Sequence, residues 1–138
     1  MNEFAKSVLE EKISQCELSL ADLKGIRASG GLEYLRANPR EYYAACYRFI
    51  TAIESIFDAS QIVLASKGKR ATGQDNIAAL LAREKIISDD LADRFMRMYG
   101  FRNRLVHAYG TLDDAKVAEY LVKHLGDIEE LLAVFKSK

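Results

Sequence analysis

The chain has few prolines and cysteines, and neither sign of charge is in excess. Its 138 residues include one proline and two cysteines, and twenty Lys and Arg balance twenty Asp and Glu. The two cysteines lack the density of a disulfide scaffold and the spacing of a metal site, so we expect Cys16 and Cys46 to be reduced core thiols of a cytoplasmic protein. Because the net charge is zero, any phosphate-binding surface has to come from local clusters.

Long apolar runs are also missing. No segment approaches the ~18 consecutive apolar residues that a membrane span needs, and the N-terminus is charged from residue 3. We therefore expect neither export nor a membrane. With 49% hydrophobic residues, the chain can bury the core of one domain, residues 1–138.

Helical periodicity is the main feature that is present, because apolar residues recur at steps of three and four. We predict five helices. The first covers about 3–24 and stops at Gly25, and the second runs from the Asn38-Pro39 cap to about residue 67. A short third helix is capped by Asp75, the fourth is capped by Ser88, and the fifth begins at Asp113 or Asp114. Short connections between long helices favour antiparallel neighbours. The predicted fold is all-α, an antiparallel up-and-down four-helix bundle with an additional short helix.

The fourth predicted helix carries an arginine in its apolar seam. Steps from Phe95 and Met98 reach Arg102, where a leucine is expected. A guanidinium keeps its charge when buried, so it must be paired, face a wet cleft or lie against another protein. One interpretation is a structural arginine paired with a carboxylate such as Glu54, and the other is a functional group.

Local basic clusters favour the functional interpretation. No acidic residue lies between residues 94 and 110, and such clusters can bind phosphates even on a neutral protein. Solvated surface charge is the alternative for each cluster. The candidate phosphate contacts, besides Arg102, are Arg94, Arg97, Arg104, Lys69 and Arg70.

His107 follows Arg102 by five residues, which is about 140° around a regular helix, whereas Tyr109 returns close to the face of Arg102. One straight helix therefore cannot aim all three side chains at one atom. Either the helix loosens near residues 108–110, or a second subunit completes the site. His124 lies among apolar positions of the last predicted helix, and we expect it to be a packing residue.

Residues 102–109, RNRLVHAY, resemble the R-x-x-x-x-H-x-Y signature of the HepT group of HEPN-domain toxins, in which a polar residue follows the arginine. The flanking segments 76–101 and 112–135 also resemble the second half of this family, while residues 1–70 agree mainly in their helix pattern. Gly110 and Thr111 depart from the family, where a bulkier and often aromatic residue is expected.

The resemblance implies a metal-independent endoribonuclease that is the toxin of a toxin-antitoxin pair. We expect no cofactor, and the directions of Arg102 and His107 lead us to expect a homodimer that completes the site. The resemblance also implies that Arg102, Asn103 and His107 are catalytic and that a nucleotidyltransferase antitoxin transfers AMP to Tyr109. An RNA substrate would then be the source of the phosphates that the basic clusters named above are expected to contact. The chemistry suits these residue types, because a histidine exchanges protons near neutral pH and an arginine binds two phosphate oxygens. A non-catalytic HEPN subunit that binds a nucleotide or a partner, and a purely structural bundle, are the alternatives.

Overall fold

The computed structural model describes residues 1–72, 74–107 and 113–138, with the backbone alone for residues 74–76. These residues form seven helices and no strand. The helices are α1 (Glu3–Ser29), α2 (Leu32–Ala37), α3 (Pro39–Ser66), α4 (Gln74–Arg83), α5 (Asp89–His107), α6 (Asp114–Lys123) and α7 (Leu125–Lys136). The predicted all-α class is confirmed.

The first helix is longer than the sequence indicated. Gly25 lies inside α1, and the helix ends at Gly30, whose φ of 147° is accessible mainly to glycine. A Cβ atom at Gly30 would lie 2.7 Å from the Cβ of Tyr34. The predicted stop at Gly25 was wrong, because one interior glycine costs a helix only about 1 kcal/mol and the buried side chains around it outweigh that cost.

Helix α3 begins at Pro39 and ends at Ser66, close to the predicted bounds, but the side-chain cap by Asn38 and the start of α4 differ from the prediction. The side chain of Asn38 does not cap α3; its Nδ2 donates to the carbonyl of Tyr34, 2.9 Å away, at the end of the unpredicted helix α2. Asp75 lies within α4 rather than before it. Ser88 is the predicted cap of α5, since its Oγ accepts from the backbone N–H of Leu91 at 3.1 Å.

The last predicted helix is two helices. The break falls at His124, whose φ of −120° and ψ of 7° end α6 and start α7. The His124 ring lies 4.6 Å from the ring of Tyr120, as expected for a packing residue, but its nitrogens also approach Glu119 and Asp127 at 3.7 and 3.5 Å. His124 is thus half-buried at a helix junction.

The core lies mainly between α1 and α3, which pack along much of their lengths. Cys16 and Cys46 are buried there as free thiols, and burial raises the pKa of Cys16 to about 12. In the part of the chain described, α3 alone is long and apolar enough to cross a membrane, with a mean hydropathy of 1.3 over 18 residues, half of them buried. A core helix has the same properties.

Candidate active site

The side chain of Arg102 is held from three sides. Its Nη2 donates to Oε1 of Glu54 on α3, its Nη1 donates to Oδ1 of Asn103 at 2.9 Å, and its Cζ lies 5.5 Å from the centre of the Tyr99 ring. Charge-assisted hydrogen bonds and a cation–π contact together fix the plane of the guanidinium. The predicted pairing with Glu54 is therefore present.

This cluster lies at the edge of the bundle. The Arg102 side chain is 17% exposed, whereas that of Glu54 is 47% exposed. Tyr99 is supported from behind by Phe57, whose ring centre is 5.4 Å away. The guanidinium is consequently preoriented between the core and solvent. A phosphate that reaches this edge of the bundle could accept hydrogen bonds from the guanidinium beside the carboxylate of Glu54. The Nε of Arg102 is buried and has no hydrogen-bond partner among the residues that the structure describes.

His107 lies on another face of the same helix. It is the last residue of α5 and is exposed, and the helix remains α-helical from Asp89 to His107. The side chains of Arg102 and His107 therefore point about 140° apart. Arg102 faces α3, while His107 shares the exposed face of α5 with Gly100 and Arg104.

The predicted AMP acceptor, Tyr109, and the loosening expected near residues 108–110 both lie outside the described residues. Asn103 is the motif residue between the two faces, one helical turn before His107. It also borders a cavity of about 60 Å³ between α4 and α5, which is lined in addition by Ile77, Ala78, Phe95, Met96, Tyr99 and Gly100. Asn103 thus connects the Arg102 cluster with the exposed face of α5.

Arg94 is engaged in a network of carboxylates. Its guanidinium lies 2.8 Å from Asp127 and 2.8 Å from Glu130 on α7, and 2.9 Å from Asp90. Hydrogen bonds to Glu130 and then to Asp127 raise the pKa of Arg94. This arrangement makes Arg94 a link between α5 and α7, and it does not favour the RNA contact that the sequence predicted for Arg94.

The other basic residues separate into two groups. Arg97 and Arg104 are exposed on α5, and no described carboxylate is within ion-pairing distance of either. Lys69 approaches Glu84 at 3.9 Å and follows the C-terminal end of α3 with Arg70, about 20 Å along that helix from Glu54. The structure therefore brings Arg97 and Arg104, but not Lys69 and Arg70, to the helix that carries the motif.

The contributions of Tyr99 and Gly100 were missed from the sequence, although Tyr99 comes three residues before Arg102 and Gly100 seven residues before His107, which are both helical spacings. Tyr99 is one turn earlier, which is the position of a side chain that can cover a guanidinium. Among the described residues, no group of three His, Cys, Asp or Glu side chains is arranged to hold a metal ion.

Comparisons with known proteins identify the family of this chain. Residues 16–135 match the family model described as Ribonuclease HepT-like. The chain belongs to the HepT-like ribonuclease family. It is 29% identical over 97 residues to an Archaeoglobus fulgidus protein with a provisional RNase name, covering 70% of each chain. It is 36% identical over 59 residues to the mRNA nuclease HepT of Shewanella oneidensis, covering 43% of this chain and 44% of that protein.

Among solved structures, the tri-AMPylated HEPN toxin of Shewanella oneidensis in complex with its MNT antitoxin superposes with a TM-score of 0.86 at 20% identity. That alignment covers all of both chains. The cytosolic protein YutE from Bacillus subtilis gives a TM-score of 0.81 at 19% identity, covering 96% of this chain and 88% of YutE. At these identities the superpositions establish the fold of the family.

Proposed function

We propose that this protein is the toxin of a toxin-antitoxin pair and cleaves RNA in the cytoplasm through the substrate's own 2′-hydroxyl. The observation that carries the proposal is the preoriented Arg102 on the same helix as an exposed His107, in a HepT-like chain. The experiment that tests it is RNA cleavage by the wild-type chain and by His107→Ala.

Each motif residue has a distinct part in the proposed reaction. His107 takes the proton from the ribose 2′-hydroxyl, and the resulting oxygen attacks the adjacent phosphorus. Arg102 stabilises the charge that develops on the phosphorane oxygens. Asn103 orients Arg102 through the 2.9 Å hydrogen bond to Nη1. The bond to the 5′-oxygen then breaks, and this oxygen takes up a proton.

The reaction requires a second copy of the chain. Within one chain Arg102 faces α3 while His107 faces solvent, so the two groups cannot meet at one phosphate. A symmetric homodimer that joins the exposed faces of α5 would bring two copies of residues 102–109 into one cleft. The protonated His107 of one copy could then supply the proton for the 5′-oxygen.

Gly100 supports this position of the dimer contact. A Cβ atom at Gly100 would meet nothing within 4 Å, so packing within the chain does not require a glycine there. A glycine inside a helix costs about 0.5–1 kcal/mol relative to alanine. Its place on the exposed face of α5, about two turns before His107, suits the close approach of a second backbone.

Gly100→Ala should raise the stability of the isolated chain and weaken the dimer. The added methyl group removes backbone entropy from the unfolded chain, but it overpacks a close interface by about 1–3 kcal/mol, which is roughly 5- to 150-fold in the dimer dissociation constant. Sedimentation over a range of concentrations measures the dimer, and urea unfolding at high dilution measures the chain.

Gly25→Ala is the matched control, because Gly25 is also an exposed helical glycine whose added Cβ would meet nothing within 4 Å. It should stabilise the chain and leave dimerisation unchanged. Equal dimerisation of Gly100→Ala and the wild type would show that the contact lies elsewhere.

We further propose that a partner nucleotidyltransferase silences the toxin by transferring AMP to Tyr109. The support is the tyrosine of the RNRLVHAY segment and the AMPylated state of the Shewanella oneidensis toxin. An attached AMP, with its negatively charged phosphate near Arg102 and His107, would occupy the cleft and repel the RNA backbone.

Tyr109→Phe should abolish this modification, because it removes the acceptor oxygen and little else. Incubation with the nucleotidyltransferase and ATP, followed by mass mapping, gives the result. Tyr43→Phe is the control, since Tyr43 is exposed on α3 and should leave the modification intact. AMP mapped to a tyrosine other than Tyr109 would contradict the assignment.

The pairing of Arg102 with Glu54 favours one second candidate, a non-catalytic subunit that binds a nucleotide or the partner. In that case the carboxylate would hold the guanidinium as part of the bundle edge. RNA binding without cleavage by the purified wild-type dimer, together with unchanged binding by His107→Ala, would favour it.

A further inference from the structure

The outward face of α3 carries two exposed tyrosines one helical turn apart. Tyr43 is 67% exposed and Tyr47 is 61% exposed. Tyrosine is usually at least half covered in a folded domain, because its ring is large and apolar. Neither ring is packed in the core of the bundle, so most of the surface of each ring faces solvent.

Both rings are held in place from the side. The ring of Tyr42 meets that of Tyr43 edge to face at 5.4 Å, with 68° between their planes. The guanidinium carbon of Arg48 lies 5.6 Å from the centre of the Tyr47 ring, and Arg48 is itself fixed by Asp22 at 2.6 Å. Two flat surfaces are thus preoriented toward solvent.

The same face of α3 leads to the candidate active site. Glu54, the partner of Arg102, follows Tyr47 by seven residues and Tyr43 by eleven, so all three lie within about 40° around α3. The rise of ~1.5 Å per residue places the rings about 10 and 16 Å along the helix from Glu54.

The C-terminal end of α5 lies on the side of the bundle toward which this face of α3 leads. Phe57 packs against Tyr99, and Glu54 pairs with Arg102, so α5 runs antiparallel to α3. The C-terminal end of α5, with His107, therefore extends toward the part of α3 that carries Tyr47.

We propose that Tyr43 and Tyr47 form a stacking platform for bases of single-stranded RNA whose phosphate is bound at Arg102. This inference rests on the proposed function and adds a substrate-binding surface to it. Unpaired bases stack on tyrosine rings without a strong sequence preference, which suits recognition of an RNA strand beside a cleavage site. Arg40, exposed one turn before Tyr43, is placed to meet the phosphate backbone.

The area of the platform favours RNA over a protein partner. A stable protein interface buries about 800 Å² on each side. Two tyrosines bury about 150–250 Å² each even when fully covered. Along this face of α3, from residue 40 to residue 61, Ile50 and Phe57 are partly buried against the core. The other neighbouring side chains are the polar Arg40, Glu54 and Gln61, so the exposed apolar surface falls well short of a protein interface.

The test uses His107→Ala as the parent, so that RNA is bound without being cleaved. The probe is a fluorescently labelled single-stranded 12-mer RNA of mixed sequence, and anisotropy measures its affinity. Tyr43→Ala and Tyr47→Ala should each weaken binding by roughly 5- to 150-fold, since each removes one stacked base. Tyr43→Phe and Tyr47→Phe keep the ring and should bind as the parent does.

Leu18→Ala is the control for loss of an exposed apolar side chain, because Leu18 is 59% exposed on α1; it should bind as the parent does. In the cleaving chain, the alanine variants should raise KM more than they lower kcat. Circular dichroism and sedimentation accompany each variant to show that helix content and oligomeric state persist.

The outcomes separate the two proposals. A parent that binds no RNA overturns the proposed function and this inference with it. A parent that binds RNA with the same affinity as both alanine variants overturns the inference alone. Loss of the dimer, or loss of antitoxin binding with unchanged RNA affinity, would make this face a protein interface and also overturn it.

Discussion

His107→Ala should lower the rate of RNA cleavage by about 10²–10⁴-fold, the usual contribution of a general base, and leave RNA binding largely intact. His107 is exposed at the end of α5, so truncating it opens no cavity and breaks no buried contact within the chain. Single-turnover cleavage and filter binding on one labelled RNA measure the two quantities.

His124→Ala is the matched control, since His124 is the only other histidine of the chain and lies at the junction of α6 and α7. It should cleave RNA at close to the wild-type rate. Induced expression should arrest growth for the wild type and for His124→Ala, but not for His107→Ala. Equal cleavage by His107→Ala and the wild type would remove the proposed base from the mechanism.

The position of Arg102 could be predicted from periodicity, because a charged residue in an apolar seam needs a partner wherever the helix packs. Glu54 was a predictable partner for the same reason, since it lies on the long helix expected beside α5. The boundaries were less predictable. Helix α2 has only six residues, too few to show a period, and the break at His124 interrupts an apolar pattern that continues on both sides of it.

Tertiary neighbours account for the remaining differences. Arg94 was a predicted phosphate contact because no acidic residue is near it in sequence on its C-terminal side, but Asp127 and Glu130 reach it from α7. Tyr43 and Tyr47 belong to an apolar-rich helix, and composition alone does not tell which of its tyrosines face solvent. The proposed meeting of two motif copies depends on a second chain, whose position one sequence does not predict.

Cleavage should persist in EDTA, produce a 2′,3′-cyclic phosphate and fail on DNA of the same sequence. The motif offers Arg102, Asn103, His107 and Tyr109, none of which is a carboxylate that could hold the paired divalent ions of two-metal nucleases. The nucleophile is therefore expected to be the ribose 2′-hydroxyl. A single 2′-O-methyl nucleotide should block cutting at that nucleotide alone, and mass analysis of the products identifies the cyclic phosphate.

Arg102 variants test the other half of this mechanism. Arg102→Ala should lose both RNA affinity and turnover, because it removes the charge that meets the phosphorane. Arg102→Lys should also be poor, since an ammonium group cannot reproduce the planar fork that Asn103 and Glu54 hold in place. His107→Ala purified in parallel shows whether residual cutting comes from a contaminating nuclease. Cleavage that needs added magnesium, or that proceeds equally well on DNA, would rule out attack by the 2′-hydroxyl.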